Sequence, residues 1–534
     1  MMMTPEKRSS PATLSRPCVL IIVVAGVERF AFKGVASNMV TYLTGVVEMS
    51  TSAAAMSVSA WAGVTSMLPL VSAVLADSYW DRYSTIIVSS LLYVAGLIGL
   101  TSWALLQKWM PCSSLFLTLY LISIGQGGYN PALQAFGADQ LDIGDDDDES
   151  GSTSEEKSKV KSAFFQWWYF GICCGSLLGN STMSYVQDTI SWGIGFAIPC
   201  AAMAISVAAF FCCSPLYKQQ IKQVRSADRP SSCDSIFRGL KSLLASVSAG
   251  KIRLSPRQED NDGDNDNSFS ELELQEKPLK LAELPDPKES LNEATTKPSV
   301  AKVILRLLPI WTVLLMFAVI FQQPMTFFTK QGALMDHQVH GTAFVIPPAM
   351  LQSTITVSII LLMPLYDRMI IPLISIVTGD SKGITVLQRI GVGMVLSVVA
   401  MAIAALVESR RRRLVAALAG QMNIAWLLPQ YVLLGVSDVF TVVGMQEFFY
   451  TQVPSAMRTI GIGLYLSVFG VGSLVGAMLI SAIEVATAAK GASGSHGWFS
   501  DDPREARLDN YYWFLALLSS ISFVVFTQLC KYYN

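Results

Sequence analysis

The strongest constraint on this chain is a series of long apolar stretches, each of about the 20 residues that cross a bilayer as an α-helix. Six precede residue 214 and six follow residue 301. Their approximate bounds are 18–44, 54–76, 84–107, 113–136, 162–184, 191–213, 302–327, 342–366, 383–407, 421–450, 457–484 and 511–531. Inside a bilayer a helix satisfies its own backbone polar groups, so these stretches are expected to be helical. The sequence predicts an all-α membrane protein with about twelve transmembrane helices in two six-helix halves.

Composition supports an integral membrane protein. Of the 534 residues, 52% are hydrophobic and 15% are charged, whereas a soluble domain carries about 25% charged residues. The net charge of −2 and the lack of a basic groove with interleaved aromatic residues argue against nucleic-acid binding. None of the nine cysteines lies in a Cys-x-x-Cys pair or at zinc spacing. We therefore expect no metal and no cofactor, and the lack of a nucleotide loop or nucleophile–base signature predicts no enzyme.

The order of apolar and polar segments predicts four regions. They are a cytosolic N-terminus at 1–17, a six-helix bundle at 18–213, a linker at 214–301, and a second six-helix bundle with a short tail at 302–534. The linker is highly charged and has little apolar content, so it is expected to be largely disordered. Basic residues place the termini and the linker on the cytosolic side. The run Arg410–Arg413 opposes this orientation, because it would face outward.

The segment Gly125–Gln140, with the sequence GQGGYNPALQAFGADQ, ends the fourth apolar stretch. Small residues at such a position let neighbouring helices approach closely. The segment resembles the signature of the proton-dependent oligopeptide transporters, the major facilitator branch that includes the plant nitrate/peptide transporters. Further segments that resemble this family are Glu28-Arg29 with the aromatics that follow, 168–176, 346–349, 383–391, 435–440 and 446–450.

The resemblance implies a major facilitator fold that works by alternating access around a central site between the halves. It also implies coupling to protons. Glu28, Arg29 and Glu447 are the candidate proton-coupling residues. For Glu447 a structural pair between helices is the alternative.

Two positions depart from the family pattern together. Ala25 stands where the first glutamate of Glu-x-x-Glu-Arg is usual, and Asn130 stands where the fourth helix usually has lysine. Losing one partner of a buried ion pair costs about 3–5 kcal/mol, whereas losing both is often neutral. The double change therefore predicts a working transporter with weakened proton coupling.

Lys33 occupies a position where the family commonly has tyrosine, one helical turn after Arg29. The charges of Glu28, Arg29 and Lys33 sum to +1, which favours an anionic substrate such as nitrate. The alternative is that Lys33 extends to the outer headgroups.

The substrate cavity is predicted to include Lys33, Asn130 and four further residues. These are Trp168, Tyr169, Phe321 and Gln323, and core packing is the alternative for the two aromatic residues of the fifth helix. Asp438 is interpreted as a candidate structural residue. The three histidines, His337, His340 and His496, fall in outward loops, so the family's binding of nitrate by an intramembrane histidine is not expected here.

Acid–arginine pairs follow the second and the eighth helices. Asp77, Arg82, Asp367 and Arg368 are therefore predicted to stabilise the cytosolic edge in one conformation, as a repeat of the two halves would give. The alternative is that these charges only anchor helix ends.

The sequence favours a secondary transporter of a small anion, with peptides, hormones or other organic acids as alternative substrates. A non-transporting sensor and a passive channel are functional alternatives from other classes. The expected partners are the substrate, the lipid bilayer and regulatory proteins at the cytosolic loops. The expected location is the plasma membrane or the vacuolar membrane.

Overall fold

The computed structural model describes twelve stretches of the chain. They are 16–79, 82–107, 109–142, 154–217, 300–338, 345–365, 385–417, 420–453, 458–488, 497–500, 502 and 505–533. The predicted linker falls almost wholly outside them, so its disorder and the four domain boundaries stay predictions.

The described residues of the first half form eight helices. They are α1 (Arg16–Ala36), α2 (Met39–Gly45), α3 (Thr51–Tyr79), α4 (Arg82–Leu106), α5 (Cys112–Asp142), α6 (Ser154–Leu178), α7 (Ser184–Thr189) and α8 (Trp192–Cys212). A π-helical turn at Gly179–Met183 joins α6 to α7.

The described residues of the second half form seven helices. They are α9 (Val300–Phe321), α10 (Phe327–Ala333), α11 (Ser353–Leu365), α12 (Val386–Ala416), α13 (Leu428–Thr451), α14 (Arg458–Ala488) and α15 (Leu508–Tyr533). Short 3-10 turns precede α10, α11 and α13.

The all-helical fold class is confirmed. When α1 and α2, α6 and α7, and α9 and α10 are each counted as one interrupted segment, the described helices follow the predicted order of six and six. By length and composition alone, seven of the helices in the described part of the chain can cross a membrane.

Close packing of α4 on α5 explains the glycines of the Gly125–Gln140 segment. A Cβ atom on Gly125 would lie 2.5 Å from the backbone nitrogen of Tyr93, and one on Gly128 would collide with the hydroxyl of Ser89. Glycine is therefore required where these two helix backbones touch. This confirms the close approach that the sequence predicted.

The two halves meet along α3 and α14 and at one end of the bundle. A Cβ atom on Gly63 of α3 would lie 2.9 Å from the carbonyl oxygen of Gly470 of α14. At the end of the bundle that contains residues 37–52, the Gln352 amide donates to the Ser37 carbonyl at 2.7 Å. The hydroxyl of Ser52 donates to the Glu484 carboxylate at 2.5 Å. These contacts close that end, which we call the closed end.

Candidate functional site

Glu28 is held inside the first half by one cation and two amides. Its carboxylate is 1% exposed, and Oε2 lies 3.8 Å from Nε of Arg29. The side chains of Asn130 and Gln126 on α5 lie beside the same carboxylate. A carboxylate at bilayer depth is costly unless it is paired. Asn130 therefore places a neutral amide next to Glu28, at the position where the family usually has a lysine.

Lys33 interacts electrostatically with Arg29 of its own helix and with a carboxylate of the other half. The Arg29 charge opposes its ammonium charge, and Asp438 of α13 attracts it. The residue is half-buried. The alternative in which Lys33 extends to the headgroups is therefore not what the structure shows.

Asp438 changes the charge count on which the anion prediction depended. Glu28 and Asp438 carry one negative charge each and Arg29 and Lys33 one positive charge each, so the four groups sum to zero. The sum of +1 over Glu28, Arg29 and Lys33 does not include Asp438, a residue that only tertiary packing brings to the site.

Asp438 is surrounded by polar side chains from both halves. Tyr169 and Cys173 of α6 and Tyr465 of α14 interact electrostatically with it. Its Oδ1 atom is buried without a hydrogen-bond partner among the described residues. Tyr169 is 43% exposed, so this group is not sealed inside the protein. We call Lys33, Asp438, Tyr169, Cys173 and Tyr465 the central group.

Sequence reasoning undervalued Asp438. The available signal was its depth in an apolar helix, because an ionisable residue within a membrane segment is a functional candidate by default.

Three of the predicted cavity residues pack within a single half. Trp168 is 6% exposed and its ring centroid lies 5.9 Å from that of Phe164. The ring of Phe321 lies 5.7 Å from that of Phe469. Gln323 is buried and donates to the carbonyl of Val319 at 2.9 Å. The contacts described for these three residues do not reach the central group.

Glu447 forms an ion pair between two helices of the second half. Its Oε2 lies 3.2 Å from Nη1 of Arg389, and its side chain is 43% exposed. It follows Asp438 by nine residues on α13, which is about 13 Å along the helix axis. This pair matches the alternative interpretation of Glu447.

The side chains of the predicted gating residues are not among those that the structure describes. Asp77 and Arg82 lie at the end of α3 and the start of α4, but their side chains are outside the described set, as are Asp367 and Arg368 altogether. Their gating role stays a prediction. Within the described ranges, no group of three or more His, Cys, Asp or Glu side chains could hold a metal ion.

Comparison with known proteins agrees with this architecture. The model of the POT family matches residues 83–499. Among curated proteins, Protein NRT1/PTR FAMILY 5.9 of Arabidopsis thaliana is 48% identical over 98% of this chain and 96% of its own length. Protein NRT1/PTR FAMILY 5.10 of the same plant is 38% identical over 99% of this chain and 96% of its own length.

Solved structures share the fold at low identity. The POT family transporter PepTSo has a TM-score of 0.69 and 17% identity over 97% of this chain and 98% of its own. An auto-inhibited POT family peptide transporter has a TM-score of 0.70 and 20% identity over 97% of each chain. The chain is thus a multi-pass membrane protein with the major facilitator fold, and it belongs to the POT family of transporters, among the plant NRT1/PTR proteins.

Proposed function

We propose that this transporter carries a small anion such as nitrate by alternating access between its two halves. The observation that carries the proposal is the position of Lys33, half-buried inside the bundle and one turn from Arg29. Its ammonium interacts electrostatically with Asp438, and Arg29 is already engaged by Glu28. Within the described residues, no ion pair of 4.0 Å or less joins Lys33 to a carboxylate. Lys33 is thus the cation that an entering anion would meet.

The second candidate substrate is an organic acid or peptide that carries both charges. The interaction of Lys33 with Asp438 favours this second candidate. A cation from one half and a carboxylate from the other could bind the opposite charges of a zwitterion. Another solved POT family structure is a complex with 5-aminolevulinic acid, which carries a carboxylate and an amine.

The remaining features of the proposal concern the setting of the transporter. The closed end faces outward, and both termini and the linker are cytosolic. The protein resides in the plasma membrane or the vacuolar membrane and acts without a metal or cofactor, with protons as the coupling ion. Regulatory proteins bind its cytosolic loops. It has no catalytic activity.

The first test is uptake of labelled nitrate by purified protein in vesicles of phosphatidylcholine and phosphatidylglycerol. We expect Lys33→Gln to lower the initial rate at least tenfold, because the cation that receives the anion is removed. The matched control is Lys531→Gln, which removes an exposed lysine from the last turn of α15 and should retain the rate. Equal rates for wild type and Lys33→Gln would contradict the role of Lys33. Uptake of labelled 5-aminolevulinic acid or dipeptide without nitrate would replace the first candidate with the second.

A further inference from the structure

One pair of opposite charges inside the bundle joins the two halves. Lys33 is on α1 of the first half and Asp438 is on α13 of the second, and each acts on the other electrostatically. In alternating access the halves rock against each other. The distance between these two charges therefore changes during transport.

We propose that Lys33 and Asp438 form a charge couple that links anion binding to proton uptake, with Asp438 as the proton carrier. The proposal rests on the proposed function, because it takes the substrate to be an anion. In this proposal, Lys33 and Asp438 take over the proton coupling of the glutamate–lysine pair that the family usually has. Ala25 and Asn130 stand at the positions of that pair in this chain.

The step balances in charge and in protons. Without substrate, the Lys33 ammonium stabilises the Asp438 carboxylate. A bound anion offsets the positive charge of Lys33, so the carboxylate is left in a poorly hydrated site and takes one proton from the outer solution. One anion and one proton cross together with no net charge. On the other side the anion leaves, Lys33 attracts Asp438 again, and the proton is released.

The surroundings of Asp438 suit this role better than those of the other two carboxylates. Lys33 is the described charge that acts on Asp438. The side chains of Tyr169, Cys173 and Tyr465 lie near enough to feel the Asp438 charge. The Oδ1 atom of Asp438 has no hydrogen-bond partner in the described part of the chain, so it is free to receive a proton.

Glu28 also has a buried oxygen, Oε1, without a hydrogen-bond partner in the described part of the chain. Its carboxylate differs in lying 3.8 Å from the permanent charge of Arg29 and beside the amides of Asn130 and Gln126. Glu447 is paired with Arg389 at the end of the same helix.

The test measures nitrate flux and internal pH together in vesicles that contain pyranine, with voltage and pH gradient imposed separately. For the wild type we expect one proton per nitrate and uptake that follows the pH gradient but ignores voltage. For Asp438→Asn we expect nitrate uptake that follows voltage, with the pH-driven rate lowered at least fivefold. Glu447→Gln is the matched carboxylate control and should keep the dependence on pH.

Each outcome decides one of the two claims. Wild-type nitrate flux without proton flux would overturn the charge couple while the proposed anion function stands, and this arm needs no variant. Retained pH dependence in Asp438→Asn would overturn the couple as well. Absence of nitrate flux under every gradient would overturn the proposal that nitrate is the substrate. A second measurement then tests the charge couple of Lys33 and Asp438 without substrate.

That measurement is hydrogen–deuterium exchange without substrate, corrected for the intrinsic effect of pH. Protonation of Asp438 removes an attraction between the halves, so exchange at the closed end should rise at least threefold on acidification in wild type. Asp438→Asn should lack this rise, although it retains Asp188 and the neighbouring His337 near that end. The same rise in both proteins would overturn the couple. If Asp438→Asn does not fold, Lys33→Gln serves instead and should likewise lack the rise.

Discussion

At the scale of single residues, the contacts of Arg410–Arg413 remove most of the objection that this run raised to cytosolic termini. Arg411 makes two hydrogen bonds of 2.6 and 2.9 Å to Glu408. Arg412 pairs with Asp509 at 2.7 Å, and the guanidinium of Arg410 lies 4.5 Å from the centre of the Trp426 ring. Positive charges steer orientation when they are free in short loops. Three of these four charges are held by partners, so they are weak evidence against cytosolic termini.

The buried pair gives a prediction at the same scale. Glu408 and Arg411 are 0% and 1% exposed, so Glu408→Gln would leave the Arg411 charge buried and unpaired. We expect a loss of about 3–5 kcal/mol in the free energy of unfolding, seen as a lower midpoint in thermal unfolding in detergent. The control is Glu447→Gln, which breaks a partly exposed pair and should cost less than about 1 kcal/mol. A normal midpoint for Glu408→Gln would show that the pair adds nothing to stability.

At the scale of helices, the glycines of α5 fix how closely α4 can pack. The segment that carries the family resemblance is therefore also a packing surface, since Gly125 and Gly128 face the backbone and side chains of α4. This packing positions α5, and with it Asn130 and Gln126 beside Glu28. The motif thus determines the electrostatic environment of Glu28 without contacting a substrate.

We expect Gly125→Ala to force α4 and α5 apart, because its Cβ would meet the Tyr93 backbone, which cannot rotate away. Overpacking of this kind costs about 1–3 kcal/mol, and thermal unfolding of the purified protein measures it. Gly45→Ala is the matched control, since its Cβ would meet nothing within 4 Å. Equal midpoints for the two variants would mean that the helix contact is looser than the structure shows.

At the scale of the whole molecule, the contacts of the closed end hold the two halves together, which in the proposed alternating access is one of two conformations. They join the turn after α1 to the turn before α11 through Ser37 and Gln352, and α3 to α14 through Ser52 and Glu484. In that proposed mechanism these bonds break when the halves rock to the opposite conformation. Their strength therefore sets how often the closed end opens.

Ser52→Ala should open the closed end more often. A hydrogen bond to a charged group contributes about 1.5–3 kcal/mol, so hydrogen–deuterium exchange of residues 37–52 should rise about tenfold or more. Ser114→Ala is the control, because that hydroxyl bonds locally to the carbonyl of Pro111. Unchanged exchange in Ser52→Ala would show that the Glu484 contact does not limit opening.

The sequence alone determined the membrane class, the order of the helices that the structure describes, and the family. These depend on local patterns: apolar stretches of bilayer length, glycines at a helix contact, and motifs of adjacent residues. It also identified Glu28, Arg29, Lys33 and Asn130, because charge changes within one motif are visible without a structure.

Only the tertiary structure decided which charges act together. It brought Asp438 of the second half to Lys33 of the first and so corrected the charge sum to zero. It also placed Trp168, Phe321 and Gln323 in the packing of their own halves and paired Glu447 with Arg389. The physical reason is that Coulomb attraction depends on distance in space, and residues far apart in sequence come close only when the two halves pack.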